Sequence, residues 1–275
     1  MTPYGWSSID DGLSIGTQIG IPKYLPEYGN ADMPEKEVEL LALLLADGSI
    51  TEKMISYTKK NAELVEIAKG CASYFGTELT NANEDRLSWL FAKPQKHGIN
   101  QFLQEHGLLG CTSATKFIPA KLFCLKPALR KRFIELLVSG DGSVMQNYIE
   151  YSSVSEELVR GLGTMLLGFG IKYSIRSKET SFTYKGEKRK GKTAWILTIR
   201  GDDAERFMQE FTLIKEKACN FVKGTDDRKH VNIKLSEKQL DEIWQVFDGR
   251  IKDLTVALGC KLQGEYQNKG LISKK

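Results

Sequence analysis

A chain of 275 residues with 41% apolar residues, 27% charged residues and a formal net charge of +4 has the composition of a water-facing globular protein with volume for a substantial core. No stretch approaches the ~18 consecutive apolar residues of a membrane span, and Met1-Thr2-Pro3-Tyr4-Gly5-Trp6 lacks the basic and apolar regions of a signal peptide. Five cysteines (Cys71, Cys111, Cys124, Cys219, Cys260), without a Cys-x-x-Cys pair, argue for reduced thiols in a cytoplasmic setting and against a disulfide framework or zinc site.

Residues 1–32 are rich in Gly, Pro and aromatics without helical period, which predicts short strands and turns. Pro34 suits the first turn of a helix, and Glu35, Glu37 and Glu39 favour its positive end. That helix runs through Val38, Leu40, Leu41 and Leu43–Leu45 to Ala46 and stops at Gly48. Residues 49–59 read as extended, and 61–75 as a helix with Asn61 as N-cap. Strands near 77–80 and 86–92 and a helix over 98–106 complete a first unit. The order then repeats: helix 128–140, strands within 143–153, helix 155–169, strands 171–184 and 193–200, and helix 202–211. Residues 226–275 read as a helical appendage (237–247 and 251–258), in which Ile251–Gly270 has a helix-turn-helix rhythm.

The repeat can be read residue by residue. Asp47-Gly48-Ser49 and Asp141-Gly142-Ser143 each end an apolar helix and lie 94 positions apart. The same offset aligns Ile55 with Ile149, Tyr57 with Tyr151, Glu63-Leu64-Val65 with Glu157-Leu158-Val159, and Phe75-Gly76 with Phe169-Gly170. The expected fold is therefore α+β, two pseudo-symmetric αββαββα repeats over 35–125 and 126–225. A small N-terminal β segment (1–34) precedes them and the helical appendage (226–275) follows.

One acid per repeat, placed at the negative pole of a helix dipole, needs a compensating cation. Two matched carboxylates brought together by the small residues Ala42, Ala46, Ser139 and Gly140 would suit a hard divalent ion such as Mg²⁺ and attack of water on a phosphodiester. Nine Lys or Arg against two acids between Lys172 and Arg200 form a local field suited to a polyanion. His97, His106 and His230 are scattered without metal spacing, and there is no phosphate-cradling Gly-rich loop.

Leu40–Gly48 and Ile134–Gly142 resemble the two signature helices of the LAGLIDADG homing endonucleases, in the single-chain, two-repeat form found in bacterial inteins. Leu45 and Ser139 stand where the family name has its first Asp, and the final Asp is kept in both copies. The resemblance implies a saddle of antiparallel sheets around two central packed helices, a monomer on double-stranded DNA, and strands in the major groove. It implies Asp47 and Asp141, with Ala46 and Gly140, at Mg²⁺ (Mn²⁺ may substitute), and assisting lysines at Lys116 and Lys215, with Lys215 a better fit than Lys217. Expected DNA contacts are Lys53, Lys59 and Lys60 in the first half, and Arg176, Lys178, Lys188, Arg189, Lys190, Lys192 and Arg200 in the second. Residues 6–28 resemble part of an intein splicing domain, although without an N-terminal Cys or Ser or a terminal His-Asn the chain is not expected to splice itself.

The reading from sequence is a site-specific, metal-dependent homing endonuclease leaving short 3′ overhangs. The alternatives on the same fold are a catalytically inactive DNA-binding regulator and an RNA-binding intron maturase.

Overall fold

The computed structural model describes residues 29–81, 87–93, 96, 98–184, 186–222, 231–234, 260–261 and 271–274. The chain divides into two compact units, Met1–Lys223 and Gly224–Lys275. In the first, the order is α1 (Glu35–Asp47), β1 (Gly48–Ile50), β2 (Ile55–Thr58), α2 (Ala62–Tyr74), β3 (Leu79–Thr80), β4 (Ser88–Phe91), α3 (Ile99–Glu105) and α4 (Ala120–Phe123). It continues with α5 (Pro127–Asp141), β5 (Gly142–Val144), β6 (Tyr148–Ser153), α6 (Glu156–Gly168), β7 (Ser174–Tyr184), β8 (Glu187–Arg200), α7 (Gly201–Glu210) and α8 (Lys215–Ala218). Two four-stranded antiparallel sheets, ordered β1-β2-β4-β3 and β5-β6-β8-β7, carry the repeat into three dimensions.

Sequence explains the placement of α1 and α5. Every residue from Val38 to Ala46 is buried, as is every residue from Phe133 to Gly140. A helix apolar all round must be central, and α1 against α5 is the most extensive helix–helix contact of the unit. Each fully buried leucine of α1 contributes roughly 1.5–3 kcal/mol relative to exposure. Glu39 is the exception in that run. Its buried carboxylate accepts from Arg132 Nε of α5 at 2.8 Å and Lys36 Nζ at 2.7 Å, so the acid is paired on both sides and ties the two helices together.

Equivalent caps start the second helix of each repeat. The Asn61 side chain accepts from Leu64 N at 3.1 Å, and Ser155 Oγ, 94 positions on, accepts from Leu158 N at 3.2 Å. Tyr57 and Tyr151 also occupy equivalent places: each faces the glycine after its Asp in the strand register (Gly48↔Tyr57, Gly142↔Tyr151). Both rings are fully buried, and neither hydroxyl has a hydrogen-bond partner among the described residues. Burial is the main cause of the upward shift of both phenol pKa values, with the charges of Asp47 and Asp141 adding to it.

Two expectations need adjustment. The short α4 was not anticipated; Pro119 sets its N-cap, and only Leu122 is buried. The strand expected over 193–200 begins at Glu187, so most of the stretch between the two expected strands is ladder, with Phe182 opposite Arg189 and Tyr184 opposite Glu187. A bulge between Glu179 and Ser181 absorbs the register shift.

In the second unit, β9 (Val231–Lys234), β10 (Cys260–Lys261) and β11 (Leu271–Lys274) form an antiparallel sheet ordered β10-β11-β9. The helices expected at 237–247 and 251–258 lie outside the described residues. Cys260–Lys261, inside the stretch read as helix-turn-helix, is strand. Of the N-terminal segment 1–34, residues 1–28 likewise lie outside; Ala31 forms a parallel bridge with Leu125 just before α5.

Candidate functional site

Why the Asp-Gly pairs recur becomes clear at the helix ends. Each chain passes from helix to strand with no intervening loop: Asp47 ends α1 and Gly48 opens β1, while Asp141 ends α5 and Gly142 opens β5. The Gly48 amide donates to Leu44 O and the Gly142 amide to Val138 O. A Cβ on Gly48 would lie 2.6 Å from Leu44 O, and one on Gly142 2.6 Å from Val138 O. Only glycine lets the strand fold back this tightly over the helix it leaves. The two ends then meet each other, since a Cβ on Gly140 would lie 2.5 Å from Ala46 Cβ and 3.3 Å from Asp47 Oδ2.

Three ammonium groups converge on this junction. Lys59 Nζ donates to Asp47 Oδ2 at 2.6 Å and across to Gly140 O at 2.8 Å, spanning both repeats. Lys116, only 5% exposed, donates to Leu44 O (2.7 Å), Leu45 O (3.0 Å) and Gly48 O (2.9 Å). Lys217 does the same for α5, donating to Val138 O (3.2 Å), Gly140 O (2.8 Å) and Gly142 O. Each of the latter two lysines thus donates to carbonyls at the end of one central helix and sits at its negative pole.

The lysines are held from the opposite repeat or the adjoining helix. Ser155 Oγ, the N-cap of α6, donates to Lys116 O, so the second repeat fixes a lysine that serves the first. Glu135 and Ser139, one turn apart on α5, accept from Thr212 N (2.8 Å) and Ile214 N (3.2 Å). Those two bonds dock the segment that leads into α8 and aims Lys217.

Electrostatics follow from crowding in a partly dry place. Burial pushes the Lys116 ammonium down to about 8 against the opposing pull of Asp141 and Asp47. Lys217 is also pushed down to about 8, by burial first and then by the charge of Lys59. Desolvation raises the Asp141 carboxyl, Asp47 adds to the rise, and Lys59, Lys116 and Lys217 oppose it.

The residues expected from sequence divide into three groups. Asp47, Asp141, Ala46, Gly140 and Lys116 come together at the junction. Lys215 is exposed on the first position of α8, and Lys217 takes the place expected for it; two residues apart on a helix, the side chains point to different sides. Lys59 was expected on DNA, yet its ammonium is spent on Asp47 and Gly140. Lys53 and Lys60 are exposed beside β2.

In the second repeat the cross-strand register puts Arg176 (opposite Ile196), Lys178 (opposite Ala194) and Arg200 (opposite Tyr148) on the sheet face turned away from the helix-facing row Tyr151, Leu197 and Ile175. All three basic residues are exposed. Arg176 pairs with Glu150 at 3.2 Å and Lys190 with Glu179 at 2.8 Å, Arg200 lies over the Tyr148 ring, and Arg189 and Lys192 are exposed. Lys188 lies in β8. The corresponding face of the first sheet is lined by hydroxyls, with Ser49 opposite Ser56 and Thr58 opposite Ser88. Among the described residues, no group of three or more His, Cys, Asp or Glu side chains is arranged to hold a metal ion.

Residues 128–212 match the LAGLIDADG-like domain. That match covers the second signature helix, its sheet and α7. Two curated relatives are each named replicative DNA helicase DnaB. The protein from Rhodothermus marinus is 26% identical over 229 residues, 76% of this chain and 24% of the relative; that from Nostoc sp. is 27% identical over 239 residues, 80% and 26% respectively. The chain therefore spans about a quarter of the length of these relatives. Among solved structures, full-length DUF199/WhiA from Thermatoga maritima aligns at TM-score 0.45 and 15% identity, over 88% of this chain and 77% of that one. The homing endonuclease I-DmoI in complex with DNA and Ca aligns at 0.44 and 12%, over 67% and 96%. No helix of the described residues is long and apolar enough to cross a membrane.

These relatives overturn the reading as a site-specific homing endonuclease: the curated proteins that match three quarters of the chain or more carry the name of a replicative helicase. The geometry at the helix junction points the same way. Part of the oxygen donor set at the junction is already occupied by ammoniums. Asp47 Oδ2 accepts from Lys59, Gly140 O accepts from both Lys59 and Lys217, and Lys116 stands on the carbonyls at the end of α1. The alternative of a DNA-binding protein without catalysis fits better.

Proposed function

We propose that this chain is a non-cleaving, double-strand DNA-binding module, a regulator-type use of the fold, working as a monomer because one polypeptide supplies both halves. The observation that carries the reading is the pairing of two features. A basic, exposed sheet face is formed by Arg176, Lys178 and Arg200. Behind it, Asp47 is ion-paired with Lys59 and Asp141 lies in the field of Lys59, Lys116 and Lys217. Exposed cations on a strand ladder can neutralise phosphates and reach base edges, while the hydroxyl-lined face of the first repeat offers neutral hydrogen bonds. The two faces would therefore contribute unequally, the second supplying most of the electrostatic attraction.

The matched segment of the DnaB-named relatives is a quarter of their length, which supports a DNA-binding module carried within a longer, intein-like or replication-linked chain. Residues 6–28, which carry the intein resemblance, lie outside the described residues.

Fluorescence anisotropy with a labelled 30-bp duplex across a salt series tests the reading. Each phosphate contact adds about 0.9 to the slope of log K against log salt. Arg176→Ala with Lys178→Ala should lower the slope by about 2 and weaken binding roughly uniformly across sequences. An unchanged slope and affinity in that double variant would remove this face from the interface. Preference for a single-stranded RNA over the duplex would favour the maturase-type alternative.

A further inference from the structure

We infer that Lys59 is a built-in cation that takes the place of a divalent ion at the twin-acid centre, serving both repeats at once. The inference concerns the same centre as the proposed function and rests on that reading, but its test needs no DNA.

The charge balance at the junction is the first support. Two carboxylates and two helix C-termini, each carrying about half a negative charge, sum to about −3. Lys59, Lys116 and Lys217 supply three positive charges to the same place. Without any one of them the centre is under-compensated. With all three in place, a divalent cation would enter a neutral site against three ammoniums.

The role of Lys59 differs from that of the other two. Lys116 and Lys217 bond only to backbone carbonyls, each to those of a single helix end. Lys59 alone binds a carboxylate of one helix and a carbonyl of the other, at 2.6 and 2.8 Å, which is the bridging task a metal ion shared between the helices would perform. Its backbone is held as well, because Trp89 Nε1 donates to Lys59 O at 3.2 Å. The repeat offset puts Ser153 at the matching position of the second half, so one ammonium serves the pair, and Asp141 has no direct ion pair among the described residues.

Mn²⁺ alone is the probe, with binding read by loss of the free-ion electron paramagnetic resonance signal in the full chain. The wild-type protein should take up no stoichiometric Mn²⁺ below about 1 mM. Lys59→Ala, shown folded by circular dichroism, should bind one Mn²⁺ at least tenfold more tightly, and adding Asp47→Asn should abolish that gain. One Mn²⁺ held by the wild type at sub-millimolar affinity and lost in Asp47→Asn would overturn the inference, and so would a folded Lys59→Ala protein with no gain. If Lys59→Ala does not fold, the wild-type titration decides alone. Failure of DNA binding would leave every arm of this experiment unaffected, so the two ideas fail separately.

Discussion

Lys116→Met should destabilise the first unit by about 2–6 kcal/mol. Two opposing effects set that figure. Removing a desolvated ammonium relieves its burial cost; a pKa near 8 instead of 10.5 makes that relief about 3 kcal/mol at neutral pH. Against it stands the loss of three charge-assisted hydrogen bonds to Leu44, Leu45 and Gly48 carbonyls, worth roughly 1.5–3 kcal/mol each. The second effect wins, because methionine fills the volume without donating. Urea denaturation followed by tryptophan fluorescence measures it. The pH profile supplies a second readout. The folded-state pKa of Lys116 lies below its unfolded value, so between about pH 8 and 10 the unfolded chain binds more protons and stability rises with pH. Lys116→Met should lose its share of that rise. A variant as stable as the wild type, with the same pH slope, would show that the ammonium does not cap the α1 end.

Gly140→Ala should cost about 1–3 kcal/mol, and the reason is the neighbouring helix rather than the backbone conformation. The added methyl would fall 2.5 Å from Ala46 Cβ and 3.3 Å from Asp47 Oδ2, well inside contact distance. The C-terminal ends of α1 and α5 must then separate, which stretches the Lys59 bridge from Asp47 to Gly140 O. Ala46→Gly in the same chain returns the space, at about 1 kcal/mol of helix propensity. The pair should therefore be far from additive, with a coupling of about 1 kcal/mol or more in a double-mutant cycle. Additive losses would mean that the helix ends do not touch as described.

Much of the architecture was open to reading because it is written twice. A largely apolar run ended by Asp-Gly reads as a buried helix turning sharply, and finding it again 94 residues later with Tyr57/Tyr151 in step predicts matching sheets. The alternating strands and the apolar faces of α2 and α6 follow from local periodicity. What the chain does with its charges is a different matter. Lys215 and Lys217 differ in sequence by two positions, and only the docking of Thr212 and Ile214 on Glu135 and Ser139 of α5 decides which one turns inward. Lys59 looks like any surface lysine at a strand end until α5 places Gly140 O beside it. The need for a cation at the two acids was legible from the helix dipoles; its identity was not, because a metal and a lysine satisfy the same electrostatic demand. Likewise, the length of the β7–β8 ladder depends on pairing between residues of high charge and weak apolar pattern, where strand and loop look alike.

The same reasoning separates fold from chemistry. The acids, the helix ends and the basic sheet are placed by the fold, and the lysines at the junction set the electrostatic surroundings of the acids. An acid whose neighbour is a fixed ammonium contributes to the stability of the helix junction and to the shape of the surface above it.

Incubation of the intact chain with a duplex it binds, once in EDTA and once in millimolar Mg²⁺, tests this account most directly. Retained complex and both labelled strands are followed on native and denaturing gels. We expect equal affinity in the two buffers and full-length strands in both. Mg²⁺-dependent cutting of either strand that disappears in Asp47→Asn or Asp141→Asn would contradict it.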